Sequence, residues 1–317
     1  MKILIVKTSS LGDVIHCLPV INDIRAAYPN AQIDWVVEES FADIPRLHPA
    51  INQVFMVAFR RWRKQVLNAA TWSEIRQLRH LIKQNQYDAV IDTQGLLKSA
   101  LTARLANGIK HGYDKQSIRE PIASRFYDKT YAISYQQHAV SRNRTLAALS
   151  LGYAPPANAP DYGIQATSNL GESLSKPFII ALHGTSRDSK LWPTEHWIHL
   201  AKLLRNQQLN LLLPWSNPAE LARAELIASL LENAVVLPKL NISELAAVIS
   251  QAKAAVGVDT GLSHLAAALN IPTIAIYTDT NPALTGVMGS KAPVINLGNI
   301  GEIPSVDSVL QHLSSIE

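Results

Sequence analysis

The stretch KILIVKTSSLGDVIHCLPVINDIRAA, residues 2–27, runs from an apolar pattern through a small polar loop into a helical pattern. Residues 3–6 are continuously apolar, which predicts a strand buried on both faces of a parallel sheet. Beyond the loop, the helical spacing is carried by Val14, Ile15, Leu18, Ile21 and Ile24. Pro19 lies within that pattern, so we expect either a kink or a late helix start there.

The same alternation of short apolar runs and longer helical patterns continues along the chain. Such alternation predicts the α/β class, with parallel sheets covered by helices on both faces. Strands are predicted at residues 3–6, 33–37, 54–57, 89–92, 178–182, 209–213, 254–258 and 273–277.

A length of 317 residues favours two domains. The periodicity stops at GYAPPANAPDYGIQ, residues 152–165, a run rich in Pro, Ala and Gly. We therefore predict one β/α domain at 1–155, a linker at 156–177, a second β/α domain at 178–304 and a terminal amphipathic helix at 305–317.

Composition narrows the class of protein. Hydrophobic residues make up 47% and charged residues 17%, as in an ordinary globular chain. No apolar run reaches the roughly 18–20 residues of a membrane span, and the N-terminus lacks a signal-peptide core. We expect a cytoplasmic protein. Cys17 is the single cysteine, so an internal disulfide is excluded. Cys17 itself is most simply a packed core residue.

Charge is divided unevenly between the halves. Residues 1–155 carry 20 Lys and Arg against 12 Asp and Glu, whereas residues 156–317 carry 9 against 13. This asymmetry indicates that the N-terminal half meets an anionic partner.

The loop that follows the first strand is the first candidate site. Ligands of open parallel sheets bind beyond the carboxyl ends of strands. Gly12 permits close backbone approach, Ser10 can cap the helix, and Asp13 projects from its first turn. An equally good alternative is that Asp13 merely complements the helix dipole and has no other role. The loop contains neither G-x-G-x-x-G nor a P-loop motif, so a nucleotide is not expected here.

Two loops of the second half are better phosphate candidates. HGTSRDSKLWP at residues 183–193 and GVDTGLSHLAAAL at residues 257–269 each follow a predicted strand. Thr260, Gly261 and Leu262 would present backbone N–H groups at a helix start, which suits a diphosphate. Lys190 could stabilise a phosphate leaving group or could be a solvated surface lysine. Asp259 would suit sugar hydroxyls better than phosphate.

A basic run, FRRWRK at residues 59–64, places Arg60, Arg61, Arg63 and Lys64 around Trp62. Basic runs are often simply solvated. If this one is functional, its partner is an acidic small molecule, an anionic membrane surface or, last because no nucleic-acid motif accompanies it, a nucleic acid.

With these elements together, the chain resembles the heptosyltransferase family of glycosyltransferases along its full length. RRWRK with TQGLLKS points toward the type I branch of that family. The resemblance is carried by ILIVKTSSLGDVIH, DWVVEE, RRWRK, YDAVIDTQGLLKSA, KHGYD, REPIAS, QQHAV, KLWPTEHW, LPWSNPAE and VDTGLSHLAAAL.

The resemblance implies a GT-B fold, two Rossmann-like domains that face each other across a cleft, with the terminal helix returning to the first domain. Asp13 would be the general base and Lys190 the residue on the donor diphosphate. The donor would also meet Thr185, Ser186, Glu220 (on the ribose), Asp259 (on the heptose), Thr260, Gly261, Leu262 and His264. The acceptor would meet Ser10, Gly12, Arg60, Arg61, Arg63, Lys64, Lys98 and Arg119.

The implied reaction moves heptose from ADP-heptose to Kdo of Kdo-lipid A with inversion. No Asp-x-Asp motif stands at a suitable strand end, so no metal and no cofactor is expected. Because the acceptor is a lipid, we expect peripheral contact with the cytoplasmic face of the inner membrane. The sequence does not fix an oligomeric state.

Other functions stay open at this point. A related enzyme could act later on the core, on a less charged acceptor. A nucleotide-sugar epimerase or a binding protein on a similar scaffold is a third possibility. The chain also departs from the family pattern at Gly184, Ser186, Thr278 and Asp279, which leaves the contacts of the turn after Tyr277 open.

Overall fold

The structure is a computed structural model that describes residues 1–166 and 177–315. The chain divides into two compact units, residues 1–164 and residues 165–317. Each unit is built from a parallel sheet with helices in its crossovers.

The first unit contains one sheet of six parallel strands. They are β1 (Lys2–Val6), β2 (Gln32–Glu38), β3 (Ile51–Val57), β4 (Gln86–Asp92), β5 (Asn107–Tyr113) and β6 (Lys129–Tyr131). The spatial order is β3-β2-β1-β4-β5-β6. The connecting helices are α1 (Leu11–Cys17), α2 (Pro19–Ala27), α3 (Asp43–Arg46), α4 (Phe59–Trp62), α5 (Ala69–Lys83), α6 (Leu97–Ala103) and α7 (Ala139–Leu151).

The second unit repeats this design. Its strands are β7 (Phe178–Leu182), β8 (Asn210–Leu213), β9 (Ala234–Val236), β10 (Ala254–Val258), β11 (Thr273–Ile276) and β12 (Val294–Leu297), in the order β12-β11-β10-β7-β8-β9. Its helices are α8 (Thr194–Asn206), α9 (Pro218–Ala228), α10 (Ile242–Ile249), α11 (Gly261–Ala268), α12 (Pro282–Thr285) and α13 (Val306–Ser315).

Both sheets follow the doubly wound order 3-2-1-4-5-6, and this order determines where ligands bind. The strand order reverses between β1 and β4 in the first sheet and between β7 and β10 in the second. The loops that follow these four strands therefore form the binding edge of each sheet.

All eight predicted strands are present, and the predicted α/β class is confirmed. The sequence reading missed β5, β6, β9 and β12. Two of these have only three residues, and β5 carries Gly108 and Lys110 within its run, so none has a long apolar signature.

Pro19 breaks the first helical pattern in two. Leu18 ends α1 and Pro19 is the first residue of α2, where its missing N–H is not needed. The helical pattern is thus interrupted at Leu18 and begins again at Pro19, where the sequence predicted a kink or a late helix start. Cys17 is fully buried, and burial raises the pKa of its thiol to about 11, so it is a packed thiol as expected.

The predicted linker begins too early. Arg144 forms an ion pair with Asp23 and also donates to the backbone and side chain of Asn158, while Tyr162 is buried. These contacts attach residues 156–164 to the first unit. Residues 167–176, the rest of the predicted linker, lie outside the described residues.

The terminal helix packs within the second unit, and the expectation that it returns to the first domain stays a prediction. Val306, Val309 and Leu313 of α13 belong to the hydrophobic core of the second unit, where the helix contacts α8 and β11. Its apolar stripe is therefore buried in the unit that precedes it in sequence. Across residues 1–166 and 177–315, no helix has the length and apolar character needed to cross a bilayer.

Candidate active site

The loop after β1 is held in place by the loop after β4. The backbone N–H groups of Thr8 and Ser9 both donate to Oε1 of Gln94, at 3.0 Å each. Lys7 Nζ donates to the carbonyl oxygen of Thr93 at 3.0 Å. These two loops flank the point where the strand order reverses. The loop of residues 7–13, the first candidate site, therefore lies at the binding edge of the first sheet.

Asp13 lies in the first turn of α1 and is half-buried. Its Oδ2 atom accepts hydrogen bonds from the backbone N–H of Ser10 at 2.8 Å and from the Ser10 hydroxyl at 3.0 Å. The helix-capping role that the sequence left open is therefore realised. A carboxylate that caps a helix can still accept a proton, so Asp13 can have both roles. A variant that keeps the cap but cannot accept a proton would distinguish them.

One arginine of the basic loop, Arg61, forms ion pairs with carboxylates of its own unit. Arg61 forms ion pairs with Glu39 and Glu74, at 3.0 and 2.9 Å, and Trp62 also donates to Glu74. These hydrogen bonds raise the pKa of Arg61, first through Glu39, and the pKa of Glu74 is lowered mainly by Arg61. Arg61 thus anchors α4 to α5, and its expected role toward the acceptor stays a prediction.

The other cations predicted to meet the acceptor form no ion pair among the described residues; they are Arg60, Arg63, Lys64, Lys98 and Arg119. Arg60 lies over the Phe41 ring and Lys98 over the Phe59 ring, each 5.4 Å from the ring centroid. Arg63, Lys64 and Arg119 are exposed. The first unit therefore presents positive charge that is available to an anionic ligand.

In the second unit, the loops after β7 and β10 meet through Lys190 and Asp259. Lys190 Nζ lies 2.5 Å from Asp259 Oδ2, and both side chains are 13% exposed. The same oxygen accepts from the hydroxyl of Thr280 at 2.5 Å. Thr185 donates its hydroxyl to the Asp259 carbonyl oxygen at 2.8 Å. The structure thus brings these predicted donor residues into one cluster.

Thr260 is the N-cap of α11, and Gly261 and Leu262 form its first turn. The first N–H groups of a helix have no intrahelical acceptor, and they carry the positive end of the helix dipole. This arrangement can bind phosphate oxygens. His264 is buried one turn further along α11, and Ser186 is exposed beside Thr185.

Glu220 lies in the first turn of α9, after β8. Its Oε2 accepts from the backbone N–H and the hydroxyl of Ser216, both at 2.7 Å. A side chain at position 184 would meet Glu220, because a Cβ built on Gly184 lies 2.5 Å from Oε1. Gly184, a departure from the family pattern, therefore allows the carboxylate to lie against the β7 loop.

The sequence reading missed the part played by the turn after β11. Thr280 shares Asp259 with Lys190, and Thr278 donates to the carbonyl oxygen of Ser189 at 2.8 Å. Ser189 in turn donates to Asp279 at 2.7 Å. One sequence signal could have indicated this turn: residues 278–280, Thr-Asp-Thr, directly follow the predicted strand at 273–277, and that strand pairs with β10 in the structure. Among the described residues, no cluster of three or more His, Cys, Asp or Glu could hold a metal ion.

Comparison with known proteins identifies the family. The family model of Glycosyltransferase family 9 (heptosyltransferase) matches residues 75–313. Lipopolysaccharide heptosyltransferase 1 of Salmonella typhimurium is 47% identical over 307 residues, which cover 95% of this chain and 97% of that protein.

Solved structures agree with this assignment. The structure of E. coli heptosyltransferase WaaC with ADP has a TM-score of 0.93 and 44% identity, with all of both chains covered. The structure of E. coli WaaC with ADP-2-deoxy-2-fluoro heptose has a TM-score of 0.88, with 99% of each chain covered. The predicted GT-B fold class is confirmed by these matches, and the chain belongs to glycosyltransferase family 9, the heptosyltransferases.

Proposed function

We propose that this enzyme acts in lipopolysaccharide inner-core biosynthesis. It transfers L-glycero-D-manno-heptose from ADP-heptose to Kdo of Kdo-lipid A, with inversion at the anomeric carbon. The observation that carries the donor half of the proposal is the Lys190–Asp259–Thr280 cluster beside the first turn of α11.

The donor half follows from the chemistry of that cluster. A diphosphate requires cations and N–H donors, which Lys190 and the start of α11 supply. Sugar hydroxyls require an acceptor, which the Asp259 carboxylate supplies. On donor binding, Lys190 moves its charge to the diphosphate, and Thr280 keeps one hydrogen bond to Asp259.

Similar proteins support the same donor and pathway. The Salmonella protein at 47% identity is named lipopolysaccharide heptosyltransferase 1, and the E. coli WaaC structure holds ADP-2-deoxy-2-fluoro heptose. Glu220 is proposed to hold the ribose, because its carboxylate is fixed at a helix start beside the β7 loop. Thr185, Ser186, Thr260, Gly261, Leu262 and His264 complete the proposed donor residues.

The transfer step is proposed as a direct displacement. The acceptor hydroxyl oxygen forms a bond to the anomeric carbon, its proton passes to the Asp13 carboxylate, and the bond from the anomeric carbon to the diphosphate oxygen breaks. The electron pair leaves with ADP, whose charge Lys190 stabilises. One carboxylate on the acceptor side suffices for this chemistry, and no metal or other cofactor is assigned to it.

The acceptor half follows from the unpaired cations of the first unit. Arg60, Arg63, Lys64, Lys98 and Arg119 suit the carboxylates of Kdo and the phosphates of lipid A. Ser10 and Gly12 line the loop beside Asp13. Because the proposed acceptor is a membrane lipid, the enzyme is placed at the cytoplasmic face of the inner membrane as a peripheral protein.

A test of this proposal measures ADP release from ADP-heptose with three conditions: no acceptor, Kdo-lipid A, and Kdo-lipid A that already carries the first heptose. Release only with Kdo-lipid A supports the proposal. Release only with the heptosylated acceptor would assign a later step of core synthesis. Alteration of the sugar nucleotide without any acceptor would indicate an epimerase, and binding without turnover a binding protein.

A further inference from the structure

The first unit contains an apolar pocket beside the basic loop, and the apolar residues of its walls are not among those proposed for the donor or the acceptor. It has a volume of about 390 Å³ and lies between α4, α5 and α6. Apart from the cations at its rim, its walls are mostly apolar, which suits a hydrocarbon chain better than a free sugar. The walls include Phe59, Trp62, Val66, Trp72, Leu101 and Leu105.

The mouth of the pocket is unusually apolar for a protein surface. Val66 and Trp72 are each 54% exposed and Leu101 is 48% exposed, while the adjoining Leu67 is 98% exposed. Trp72 is held in position, because its indole N–H donates to the carbonyl oxygen of Val66 at 2.8 Å. Exposed apolar side chains that are grouped in this way commonly mark a contact with a partner or a membrane.

Positive charge surrounds the same mouth. Arg63 and Lys98 line the pocket, and Lys64 is exposed next to Arg63. None of these three side chains forms an ion pair within the described parts of the chain, in contrast to Arg61. An apolar cavity with unpaired cations at its rim is complementary to a molecule that has a hydrocarbon chain and a phosphate.

We infer that this surface docks the enzyme on an anionic phospholipid bilayer, with one acyl chain of a bilayer phospholipid in the pocket and its phosphate against Arg63 and Lys98. Leu67 and Trp72 enter the interfacial region, where aromatic and aliphatic side chains are favoured. Each cation near an anionic surface adds attraction that salt screens. The inference rests on the proposed membrane location, but vesicle binding itself is measured without the sugar donor, and the acceptor enters only in controls.

The test is sedimentation with vesicles made of one part phosphatidylglycerol to three parts phosphatidylcholine, at low salt, compared with pure phosphatidylcholine. The wild type is expected to bind only the first kind. Leu101→Gln removes apolar surface at the mouth, and we expect about fivefold weaker partition. Arg63→Gln removes one cation, with a loss of about fivefold.

Matched controls separate this surface from general surface hydrophobicity. Leu149→Gln changes an exposed leucine, 41% exposed, on α7 of the same unit and is expected to bind like wild type. Phospholipids that are brominated along the acyl chain should quench tryptophan fluorescence, and Trp72→Phe should remove part of that quenching. Because Leu101 is partly exposed, its variant is expected to fold and to keep ADP release with detergent-dispersed acceptor.

Three results would overturn the inference. The first is failure of the wild type to bind phosphatidylglycerol vesicles. The second is equal binding by Leu101→Gln and Leu149→Gln. The third is binding only when Kdo-lipid A is added to the vesicles, which would assign the pocket to the acceptor itself. The first two results do not bear on acceptor-dependent ADP release, and the third would reassign the pocket without removing the proposed transfer.

Discussion

The two units share one topology and one kind of binding edge, but they treat charge in opposite ways. In the second unit, Lys190 and Asp259 neutralise each other at 2.5 Å and are both largely buried. In the first unit, the Asp13 carboxylate accepts hydrogen bonds from Ser10, and several cations have no carboxylate partner among residues 1–166 and 177–315. A closed ion pair suits a ligand with both phosphates and hydroxyls, because such a ligand can replace both halves of the pair. Unpaired cations suit a ligand that is anionic throughout.

The largest combined effect on activity and stability is expected where the charges are paired. Lys190→Met should lower kcat for ADP release by about 10²–10³-fold, because the leaving diphosphate loses its cation. It should also lower the free energy of unfolding by roughly 3 kcal/mol, since Asp259 is left largely buried without its partner charge. Steady-state kinetics and urea unfolding measure the two effects.

The double variant Lys190→Met with Asp259→Asn sharpens this prediction. It removes both charges, so stability should recover while activity stays low. Lys202→Met, on the exposed face of α8, is the matched control and should leave both quantities unchanged. Full activity in Lys190→Met would mean that the pair is only structural.

An effect of intermediate size separates two arginines of the basic loop. Arg63→Gln should raise KM for the acceptor by about tenfold, because a charge-assisted hydrogen bond is lost, and should weaken the salt dependence of KM. Arg61→Gln should act mainly on the α4–α5 contact through Glu39 and Glu74. Its effect should appear as faster proteolysis of that segment. Equal increases in KM for the two variants would contradict the distinction.

The smallest expected effect concerns pH. Burial lowers the pKa of His183 to about 4, with Arg223 adding to the shift and Glu220 opposing it. Below about pH 6.5 the unfolded chain binds a proton that the folded chain does not. His183 therefore contributes stability above that pH, and the contribution is lost as pH falls toward 4.

The pH dependence of urea unfolding checks this sign. His183→Asn should flatten the decline between pH 6.5 and 4, whatever its effect on stability at neutral pH. His199→Gln changes an exposed histidine of α8 and should keep the wild-type slope. An unchanged slope in His183→Asn would show that other groups carry the acid sensitivity. Burial also lowers the pKa values of His48 and His111 to about 4, so part of the slope should remain.

The central strands of each sheet could be predicted because they are buried on both faces and therefore read as continuous apolar runs. The strands β5, β6, β9 and β12 could not be predicted in this way, because β6 and β9 are three residues long and β5 and β12 are only partly buried. The sequence also did not predict that the two units share one topology, because the two halves show no sequence repeat. The shared topology results from the same crossover rule acting on two unrelated sets of strands.

The site was predicted in its location and only partly in its contacts. Asp13, Lys190 and Asp259 follow central strands, so the switch-point rule places them at the binding edges. The sequence could not show that Arg61 is neutralised by Glu39 and Glu74, because α5 lies well beyond the basic run. Thr280 was missed for a similar reason, because its partner Asp259 belongs to a neighbouring strand's loop.

The measurement that tests the central claim most directly is acceptor-dependent ADP release by Asp13→Asn. Asparagine keeps an oxygen that can accept from the Ser10 N–H, so the helix cap is retained while the proton acceptor is lost. We expect kcat to fall by about 10²–10⁴-fold, with ADP affinity and unfolding free energy close to those of the wild type. Release at the wild-type rate would contradict the account and leave Asp13 as a helix cap alone.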